Sequence, residues 1–293
     1  MQVRLLLGPA GSGKTAVCLG EIQENLIQAP DGPALVVLAP KQTTYQLERQ
    51  LLSNPALPGY TRLQILSFER LASFVFDQLG VPRPEMIDEE GRLMVLRGLL
   101  SRKRNDLRLF RASARLTGFA QELSRVLSEF ERHQISSDFL LNLARDLSHS
   151  TGLAYKLEDL ATIMREYAAW LAARGLQDAD RLLSAATQAL TTASQDKPST
   201  GRLHIEHLWV DGFGEWCPQE LEFLAGVVAH SGSTTITFCL DRPLQKLSWA
   251  SSWSVIQKSY EACVKRLSEI PGVELTTSAL PRKTQSSRFA RSW

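Results

Sequence analysis

A glycine-rich octapeptide, G-P-A-G-S-G-K-T, is the segment of this sequence with the clearest chemistry. It matches the phosphate-loop (Walker A) pattern G-x-x-x-x-G-K-[ST] at every fixed position. The glycines of such a loop let backbone N–H groups converge on phosphate oxygens, and the helix that follows adds its partial positive charge. The pattern predicts a nucleoside triphosphate site, for ATP in our interpretation, formed by Gly8, Pro9, Ala10, Gly11, Ser12, Gly13, Lys14 and Thr15.

Magnesium should accompany the nucleotide, and two residues are candidates to hold it. In a phosphate loop of this type, Lys14 would contact the β- and γ-phosphates and Thr15 would bind Mg²⁺. A second ligand is expected at the end of a neighbouring strand, and the segment H-L-W-V-D ends at Asp211. We therefore predict that Asp211 binds Mg²⁺ through water.

The residue after Asp211 bears on hydrolysis. Many ATPases carry a glutamate there that activates the attacking water, but this chain has Gly212. Because glycine has no side chain that accepts a proton, we expect nucleotide binding with slow hydrolysis and assign no catalytic base. Glu215 and Glu220 are the nearest substitutes in the sequence.

Alternating strands and helices surround the phosphate loop. Short apolar runs predict buried strands, and helical spacing of apolar residues follows each one, which is typical of a doubly wound parallel sheet. Ser67 is a suitable N-cap for the third helix. The predicted strands cover residues 3–7, 34–39 and 63–66, and the predicted helices cover 15–27, 42–52 and 67–79.

A helical block then interrupts the sheet. Apolar residues recur at helical spacing between 116 and 130 and between 157 and 171, and no strand is predicted from 85 to about 192. Strands return after a polar linker, at 208–210, 234–240 and, as an edge strand, 273–277, with a helix at 254–270. The prediction is an α/β P-loop NTPase fold with a large all-helical insertion: 1–84, first part of the sheet domain; 85–197, insertion; 198–293, second part with a polar tail.

Composition excludes several other classes of protein. A net charge of +2 over 293 residues gives no global sign of nucleic-acid binding, so any basic surface must be local. The four cysteines are far apart and form no C-x-x-C pair, which argues against a zinc or iron–sulfur site in this chain. No apolar run reaches the roughly 20 residues that a membrane span needs. We expect a cytoplasmic protein without membrane contact.

Four segments of the chain together resemble a known family. Besides the phosphate loop they are A-P-K-Q-T-T-Y-Q-L-E at 39–48, S-F-E-R-L-A at 67–72, and V-D-G-F at 210–213 followed by Trp216, Pro218, Gln219 and Glu220. Their order is similar to the first motor domain of UvrD-type superfamily 1 helicases, with its 1A-like sheet and 1B-like insertion. More closely, it resembles the N-terminal part of AddB, the second subunit of bacterial AddAB helicase–nucleases, which has D-G-F in place of D-E-F. The segment G-L-Q-D-A-D at 175–180 is also similar.

The resemblance carries functional implications. It implies an ATP-dependent helicase–exonuclease subunit that processes double-strand DNA ends for repair and recombination. It also implies a degenerate motor that holds single-stranded DNA beside an active partner subunit. Family members are several times longer and end in a nuclease domain that has no counterpart here, so we interpret the chain as a fragment or a truncated gene product.

Candidate DNA contacts follow the predicted second and third strands, at the edge where ligands bind in open α/β sheets. They are Lys41, Thr43, Thr44, Tyr45, Ser67 and Phe68. Tyr45 could stack on a base or be buried in the core, and Ser67 and Phe68 could likewise contact DNA or be buried. A second basic stretch contains Arg102, Lys103, Arg104, Arg108, Arg111 and Arg115, opposed only by Asp106. It could contact phosphates or be a solvated helix face.

Two other functions stay open at this point. One is an active P-loop ATPase or small-molecule phosphotransferase. Gly212 weakens the case for an ATPase, and the length of the insertion weakens the case for a phosphotransferase. The other is a structural module that its nucleotide merely stabilises.

Overall fold

A computed structural model describes residues 1–147, 151–195, 203–241 and 253–281. The chain divides into two compact units. The sheet unit comprises Met1–Gly80, Leu190–Trp216 and Leu221–Trp293, and the helical unit comprises Val81–Ala189 and Cys217–Glu220. We predicted transitions after residues 84 and 197, whereas the division falls after residues 80 and 189. Most of the predicted linker at 194–201 lies outside the described residues.

A six-stranded parallel sheet with the order β3-β2-β6-β7-β1-β8 forms the sheet unit. The α/β fold that we predicted is thereby confirmed. All six strands point the same way, so their carboxyl ends lie at one edge. The strands are β1 (Gln2–Leu7), β2 (Ala34–Leu38), β3 (Leu63–Leu66), β6 (Ile205–Val210), β7 (Ser231–Phe238) and β8 (Glu274–Ala279); β4 (Glu85–Ile87) and β5 (Leu176–Asp178) belong to the helical unit.

Burial explains why the strand predictions succeeded. The apolar strand β2 has four of its five residues fully buried, as expected for an inner strand of a parallel sheet. The edge strand β8 is largely exposed and pairs only with β1, as predicted. Strand β6 begins at Ile205, three residues earlier than predicted, because the polar residues Glu206 and His207 hid its first half.

Helices α1 (Lys14–Gln28), α2 (Thr44–Leu52), α3 (Phe68–Leu79) and α10 (Ser254–Ser268) accompany the sheet. The predicted N-cap is present, since the Ser67 hydroxyl accepts a hydrogen bond from the Arg70 N–H at 3.5 Å. Gly80 ends α3 with a left-handed φ of 65°, the usual helix termination. Helices α8 (Leu182–Gln195) and α9 (Pro218–Val228) each begin in the helical unit and end in the sheet unit.

The helical unit packs α4 (Glu89–Lys103), α5 (Thr117–Arg132), α6 (Ser137–Asp146) and α7 (Thr151–Ala172) around one apolar core. The prediction that the insertion is all-helical is wrong. Strands β4 and β5 pair in parallel, with Glu85 opposite Leu176 and Ile87 opposite Asp178. Each strand has only three residues, which is too short to give an alternating pattern in the sequence.

A buried ion cluster ties β5 to the helices of this unit. The Arg92 guanidinium donates to Asp178 at 3.0 Å, to Asp180, and to the Ser124 hydroxyl at 2.9 Å. The Tyr167 hydroxyl donates to the other Asp178 oxygen at 2.5 Å. Burial, and then the bond to Asp178, raises the pKa of Tyr167 above its usual range. Every charge in the cluster has a charged or hydrogen-bonding partner, as buried ions require.

Metal and membrane predictions can be compared with the described ranges only. Within them, no group of three or more histidine, cysteine or acidic side chains could hold a metal ion. All four cysteines are free, with Cys18 and Cys263 buried. Within the same ranges, no helix is long and apolar enough to cross a bilayer.

Candidate nucleotide site

The phosphate loop connects the end of β1 at Leu7 to the start of α1 at Lys14. Two of its glycines have left-handed backbones, with φ of 77° at Gly11 and 97° at Gly13, which side-chain-bearing residues rarely adopt. Gly13 is the N-cap of α1 and makes no side-chain cap bond. The N–H groups of the first turn are therefore left for an external acceptor.

Close packing inside the loop preserves a concave backbone surface. A Cβ atom at Gly8 would lie 2.4 Å from the Ser12 hydroxyl oxygen, so a side chain there would require Ser12 to move. The Ser12 side chain is 4% exposed. Within the described residues its hydroxyl has no protein hydrogen-bond partner. The shape and the spare donor both suit a phosphate group.

The Lys14 ammonium lies across its own loop. It donates to the carbonyl oxygens of Gly8 at 2.6 Å and Pro9 at 2.9 Å. Within the described parts of the chain it forms no salt bridge with a carboxylate. Its positive charge is therefore balanced by no acidic side chain and can pair with an anionic ligand.

Thr15 and Asp211, the two predicted magnesium ligands, are in direct contact. The Thr15 hydroxyl donates to Asp211 Oδ2 at 2.6 Å, and the Thr237 hydroxyl donates to Oδ1 at 2.5 Å. Asp211 follows β6 directly, and its N–H donates to the Leu38 carbonyl of the adjacent strand at 3.0 Å. Thr237 was not predicted, because a threonine in a strand is unremarkable in sequence.

The carboxylate of Asp211 is buried without a counter-charge. Its residue is 8% exposed, and no lysine, arginine or histidine of the described residues forms a salt bridge with it. Hard cations such as Mg²⁺ prefer oxygen ligands of this kind, carboxylate and hydroxyl. The residues present therefore fit a magnesium ion beside the phosphate loop.

The backbone explains why glycine follows Asp211. Gly212 has a left-handed φ of 86°, and a Cβ there would lie 3.2 Å from Pro40 Cδ. A glutamate at this position would be strained, so Gly212 cannot be replaced by the usual base without a backbone change. Of the two substitutes, Glu215 is exposed. The other, Glu220, accepts a hydrogen bond from the Cys217 N–H at 3.0 Å.

A second link joins the phosphate-loop helix to the strand that carries Asp211. Glu21 on α1 accepts from the Arg4 guanidinium at 2.6 and 2.7 Å and from Trp209 Nε1 at 3.0 Å. Trp209 lies on β6, two residues before Asp211. Sequence reasoning missed this link because a glutamate on a helix is ordinary.

Two titratable groups near this link stay neutral at physiological pH. Burial, with the charge of Asp211 next, raises the pKa of the Cys18 thiol to about 12. His207 stacks on Trp209 with ring centroids 3.9 Å apart, and burial lowers its pKa to about 4. Neither group has the ionisation state of a nucleophile or an acid–base catalyst at neutral pH.

The predicted DNA contacts separate into an exposed and a buried set. Lys41 is exposed and Tyr45 is 71% exposed, so Tyr45 lies outside the core. Thr43 and Thr44 are partly exposed, and their hydroxyls donate to the carbonyls of Pro40 at 2.8 Å and Lys41 at 3.0 Å.

Ser67 and Phe68 are the buried set, 5% and 7% exposed. The Phe68 ring packs against Phe213 and Phe223, with centroids 5.3 and 6.4 Å apart. These contacts hold the Phe68 ring in an aromatic cluster. A direct DNA contact by Ser67 or Phe68 would require rearrangement, so the structure favours burial, one of the two possibilities that the sequence left open for them.

A small polar pocket adjoins Tyr45. It has a volume of about 350 Å³, and its lining includes Thr44, Tyr45, Tyr60, Gln64 and Arg70. The Tyr60 hydroxyl donates to Glu48 at 3.3 Å, and burial, with Glu48 second, raises its pKa to about 12. The sequence analysis did not predict that Gln64 and Arg70 line a pocket. The one sequence signal for this was their position near the carboxyl end of β3.

Comparison with known proteins gives one consistent family. The family model described as "ADDB, N-terminal" matches residues 5–292. A relative from Moorella thermoacetica, named as a subunit of an ATP-dependent helicase/deoxyribonuclease, is 37% identical over 249 residues, which are 84% of this chain and 21% of the relative. The protein of the same name from Pelotomaculum thermopropionicum is 35% identical over 270 residues, 90% of this chain and 23% of the relative.

These matches cover most of this chain but a minor part of each relative. The chain spans between a fifth and a quarter of the length of these two proteins. The phosphate loop, the A-P-K-Q-T segment and the D-G-F segment all lie within the range that the family model matches. The chain belongs to the AddB N-terminal family.

Proposed function

We propose that this chain binds Mg²⁺–ATP and single-stranded DNA as a motor-degenerate, helicase-like module of a helicase–nuclease subunit. It would act in the cytoplasm, beside an active partner subunit, in repair and recombination at double-strand breaks. The observation that carries the proposal is the contact between Thr15 and Asp211 at 2.6 Å, which joins a phosphate loop to the end of a central strand.

Nucleotide binding follows from the chemistry of the loop. The first-turn N–H groups of α1 and the Lys14 ammonium would hold the phosphates, and Thr15 with Asp211 would hold the magnesium ion. When bound, the ion would neutralise phosphate charge. Thr237 and the Glu21 link keep Asp211 and α1 in position for this.

Slow hydrolysis follows from Gly212. Glycine has no side chain, so no carboxylate lies at the position that usually activates water. The left-handed backbone there also disfavours a residue that carries one. We expect turnover of ATP well below the usual enzyme range of about 1–1000 per second, with or without DNA. A DNA-stimulated rate within that range would overturn the motor-degenerate part of the proposal and favour an active ATPase.

Single-stranded DNA would lie at the carboxyl edge of the sheet. Lys41 and Tyr45 project from the segment after β2 and are exposed, so they can supply a phosphate contact and a stacking face. Each stacked base contributes about 1–3 kcal/mol in such interfaces. The names of the relatives, which are helicase/deoxyribonuclease subunits, support a DNA ligand.

Calorimetry with ATP and Mg²⁺ tests the nucleotide site. Lys14→Ala should weaken binding at least tenfold, or about 1.4 kcal/mol, because a charge that pairs with phosphate is lost. Lys265→Ala, an exposed lysine on α10, is the matched control and should bind like the original chain. Equal affinity of all three proteins would contradict the nucleotide site.

Fluorescence anisotropy with a labelled single strand tests the DNA surface. The double variant Lys41→Ala, Tyr45→Ala should lose single-strand affinity but keep ATP affinity. Lys258→Ala, Lys265→Ala changes two exposed residues of α10 and should keep both. Binding of ATP without any measurable DNA binding at low salt would instead favour a nucleotide-stabilised structural module.

A further inference from the structure

The segment 102–116 of the helical unit, which we call the arginine loop, runs from the end of α4 to the start of α5. It contains five arginines and one lysine, and Asp106 is its one acidic residue. Two short 3-10 turns, Arg104–Asp106 and Ser113–Arg115, shape it. The loop is therefore a short, strongly basic segment with a defined backbone.

One buried carboxylate holds the middle of this loop. Asp159 on α7 is 2% exposed. Its oxygens accept the N–H groups of three successive residues, Arg108 at 2.9 Å and Leu109 and Phe110 at 2.8 Å each. Consecutive N–H groups that converge on an anion form a rigid arrangement. The backbone of the loop is thus fixed from inside the unit.

Apolar contacts beside Asp159 complete the anchor. Leu107 is 2% exposed and belongs to the core of the helical unit. The Phe110 ring meets the Phe119 ring edge-on at a centroid distance of 5.0 Å. Leu107, Phe110 and three backbone N–H groups are thus directed inward, whereas Arg102, Arg111 and Arg115 are exposed.

The charges of the loop are only partly balanced. Lys103 pairs with Glu166 at 2.7 Å, and Arg108 pairs with Glu158 at 3.1 Å. Arg102, Arg104 and Arg111 bond only to neutral groups, the carbonyls of residues 98 and 111 and the amide of residue 105. Neither they nor Arg115 form an ion pair within the described residues.

Four unpaired guanidinium groups on a fixed loop repel one another, and a polyanion would relieve that repulsion. Guanidinium binds phosphate with two parallel hydrogen bonds, a geometry that lysine cannot match. Carboxylates can accept the same pair of bonds, so the argument for phosphodiesters is the close spacing of these arginines within residues 102–115, which suits the regularly repeated charges of a nucleic-acid backbone.

We propose that the arginine loop is a second DNA surface, which binds the phosphate backbone of a duplex without reading its bases. This proposal rests on the proposed function in one respect, namely that the chain acts on DNA. It needs no nucleotide and none of the residues at the sheet edge. Asp159 is a positioning residue for this surface, because it touches the loop from inside the core.

The test measures binding of a labelled 20-base-pair duplex of mixed sequence as a function of salt, without nucleotide. Each phosphate contact contributes about 0.9 to the slope of log affinity against log salt for duplex DNA. The triple variant Arg102→Gln, Arg111→Gln, Arg115→Gln should flatten the slope by about 2–3 and weaken low-salt binding at least tenfold. These three residues are exposed, so the variant should fold.

A matched control removes three exposed arginines elsewhere in the same unit: Arg125→Gln, Arg132→Gln, Arg145→Gln. It should keep the slope and affinity of the original chain. Three results would overturn the proposal: no duplex binding at low salt, an unchanged slope in the loop variant, or an equal loss in the control. The first two would also be expected if the loop met an acidic protein surface instead.

Asp159→Asn separates loop geometry from bulk charge. This change makes the chain more positive by one charge, so simple electrostatics predicts tighter DNA binding. Loss of the anchoring carboxylate should instead loosen the loop and weaken duplex binding about threefold or more, about 0.7 kcal/mol, with ATP affinity unchanged. Equal or tighter binding by a folded Asp159→Asn variant would overturn the positioning role. Failure of Lys14→Ala to affect ATP would count against the nucleotide site alone.

Discussion

Two buried carboxylates, Asp211 in the sheet unit and Asp178 in the helical unit, are almost equally hidden from solvent, at 8% and 6% exposure. Their partners differ. Asp178 meets the Arg92 guanidinium and the Tyr167 hydroxyl. Asp211 meets the hydroxyls of Thr15 and Thr237 and no cationic side chain of the described residues.

The comparison shows how a structural carboxylate differs from one that can hold a ligand. Burying an ion without a counter-ion costs several kcal/mol. Asp159 offsets that cost with three backbone N–H groups, whereas the described partners of Asp211 are two hydroxyls. The charge of Asp178 is balanced within its own unit and holds β5 to the helices. The charge of Asp211 has no cationic side-chain partner among the described residues, and in our proposal a magnesium ion beside the phosphate loop balances it.

The largest expected effect comes from removing the counter-ion of Asp178. Arg92→Ala should lower the free energy of unfolding by about 3–5 kcal/mol, because two carboxylates lose their buried partner. Urea unfolding followed by circular dichroism measures it. Arg125→Ala, whose side chain is 72% exposed and paired only with Glu122, should change stability by less than about 1 kcal/mol. Similar losses in both variants would remove the distinction between the two kinds of carboxylate.

A pH effect should appear in the sheet unit, where His207 also has hydroxyl partners, Ser233 at 2.6 Å and Thr235 at 3.1 Å. Its folded pKa of about 4 lies below the unfolded value of about 6.5. The unfolded state therefore binds the extra proton first, and stability falls as pH drops from about 6.5 to about 4.

The slope of that loss is at most about 1.4 kcal/mol per pH unit, the value for one proton. Denaturant midpoints at pH 7, 6 and 5 for the original chain and for His207→Gln would measure it, since the variant lacks this titration. Parallel pH dependences in the two proteins would show that His207 is protonated without penalty in the fold.

A substitution in the turn after Asp211 should have a smaller effect on stability. Gly212→Ala should destabilise the chain by about 1–2 kcal/mol, because alanine in a left-handed backbone is strained and its Cβ would lie 3.2 Å from Pro40. Gly214→Ala is the control, since a Cβ there meets nothing within 4 Å. In thermal unfolding, Gly212→Ala should have a lower midpoint temperature than Gly214→Ala. The reverse order would contradict the turn geometry.

The smallest stability effect is expected at Asp211 itself. Asp211→Asn removes an unbalanced buried charge and keeps an oxygen for one hydroxyl, so the free energy of unfolding should change by less than about 1 kcal/mol. The dependence of ATP affinity on Mg²⁺ should nevertheless disappear. A destabilisation as large as that of Arg92→Ala would place Asp211 among the structural carboxylates.

Sequence patterns were sufficient for features that depend on local rules. The phosphate-loop spacing located the turn between β1 and α1, and apolar runs located the sheet strands within a few residues. The Ser67 cap followed from the same kind of local chemistry. Each of these features depends on residues that are close together in the chain, so it can be predicted without knowledge of tertiary contacts.

Features that depend on distant partners were not predictable in this way. Strands β4 and β5 pair residues that are 91 positions apart in the chain and are too short to show a pattern. The roles of Glu21, Thr237 and Asp159 arise from contacts between elements, and their residue types are common in helices and strands. The burial of Phe68 stayed open because the sequence does not show which side of α3 meets the aromatic rings of Phe213 and Phe223.

The strand order has a consequence for how the chain is made. β1 ends at Leu7 but pairs only with β7, which begins at Ser231, and with β8. At translation rates of about 5–20 residues per second, β1 waits on the order of 10–45 s for a partner. The helical unit, whose helices contact near neighbours in sequence, can fold during that interval. β1 therefore stays without a partner strand until β7 has been made, although it is among the first segments to be synthesised.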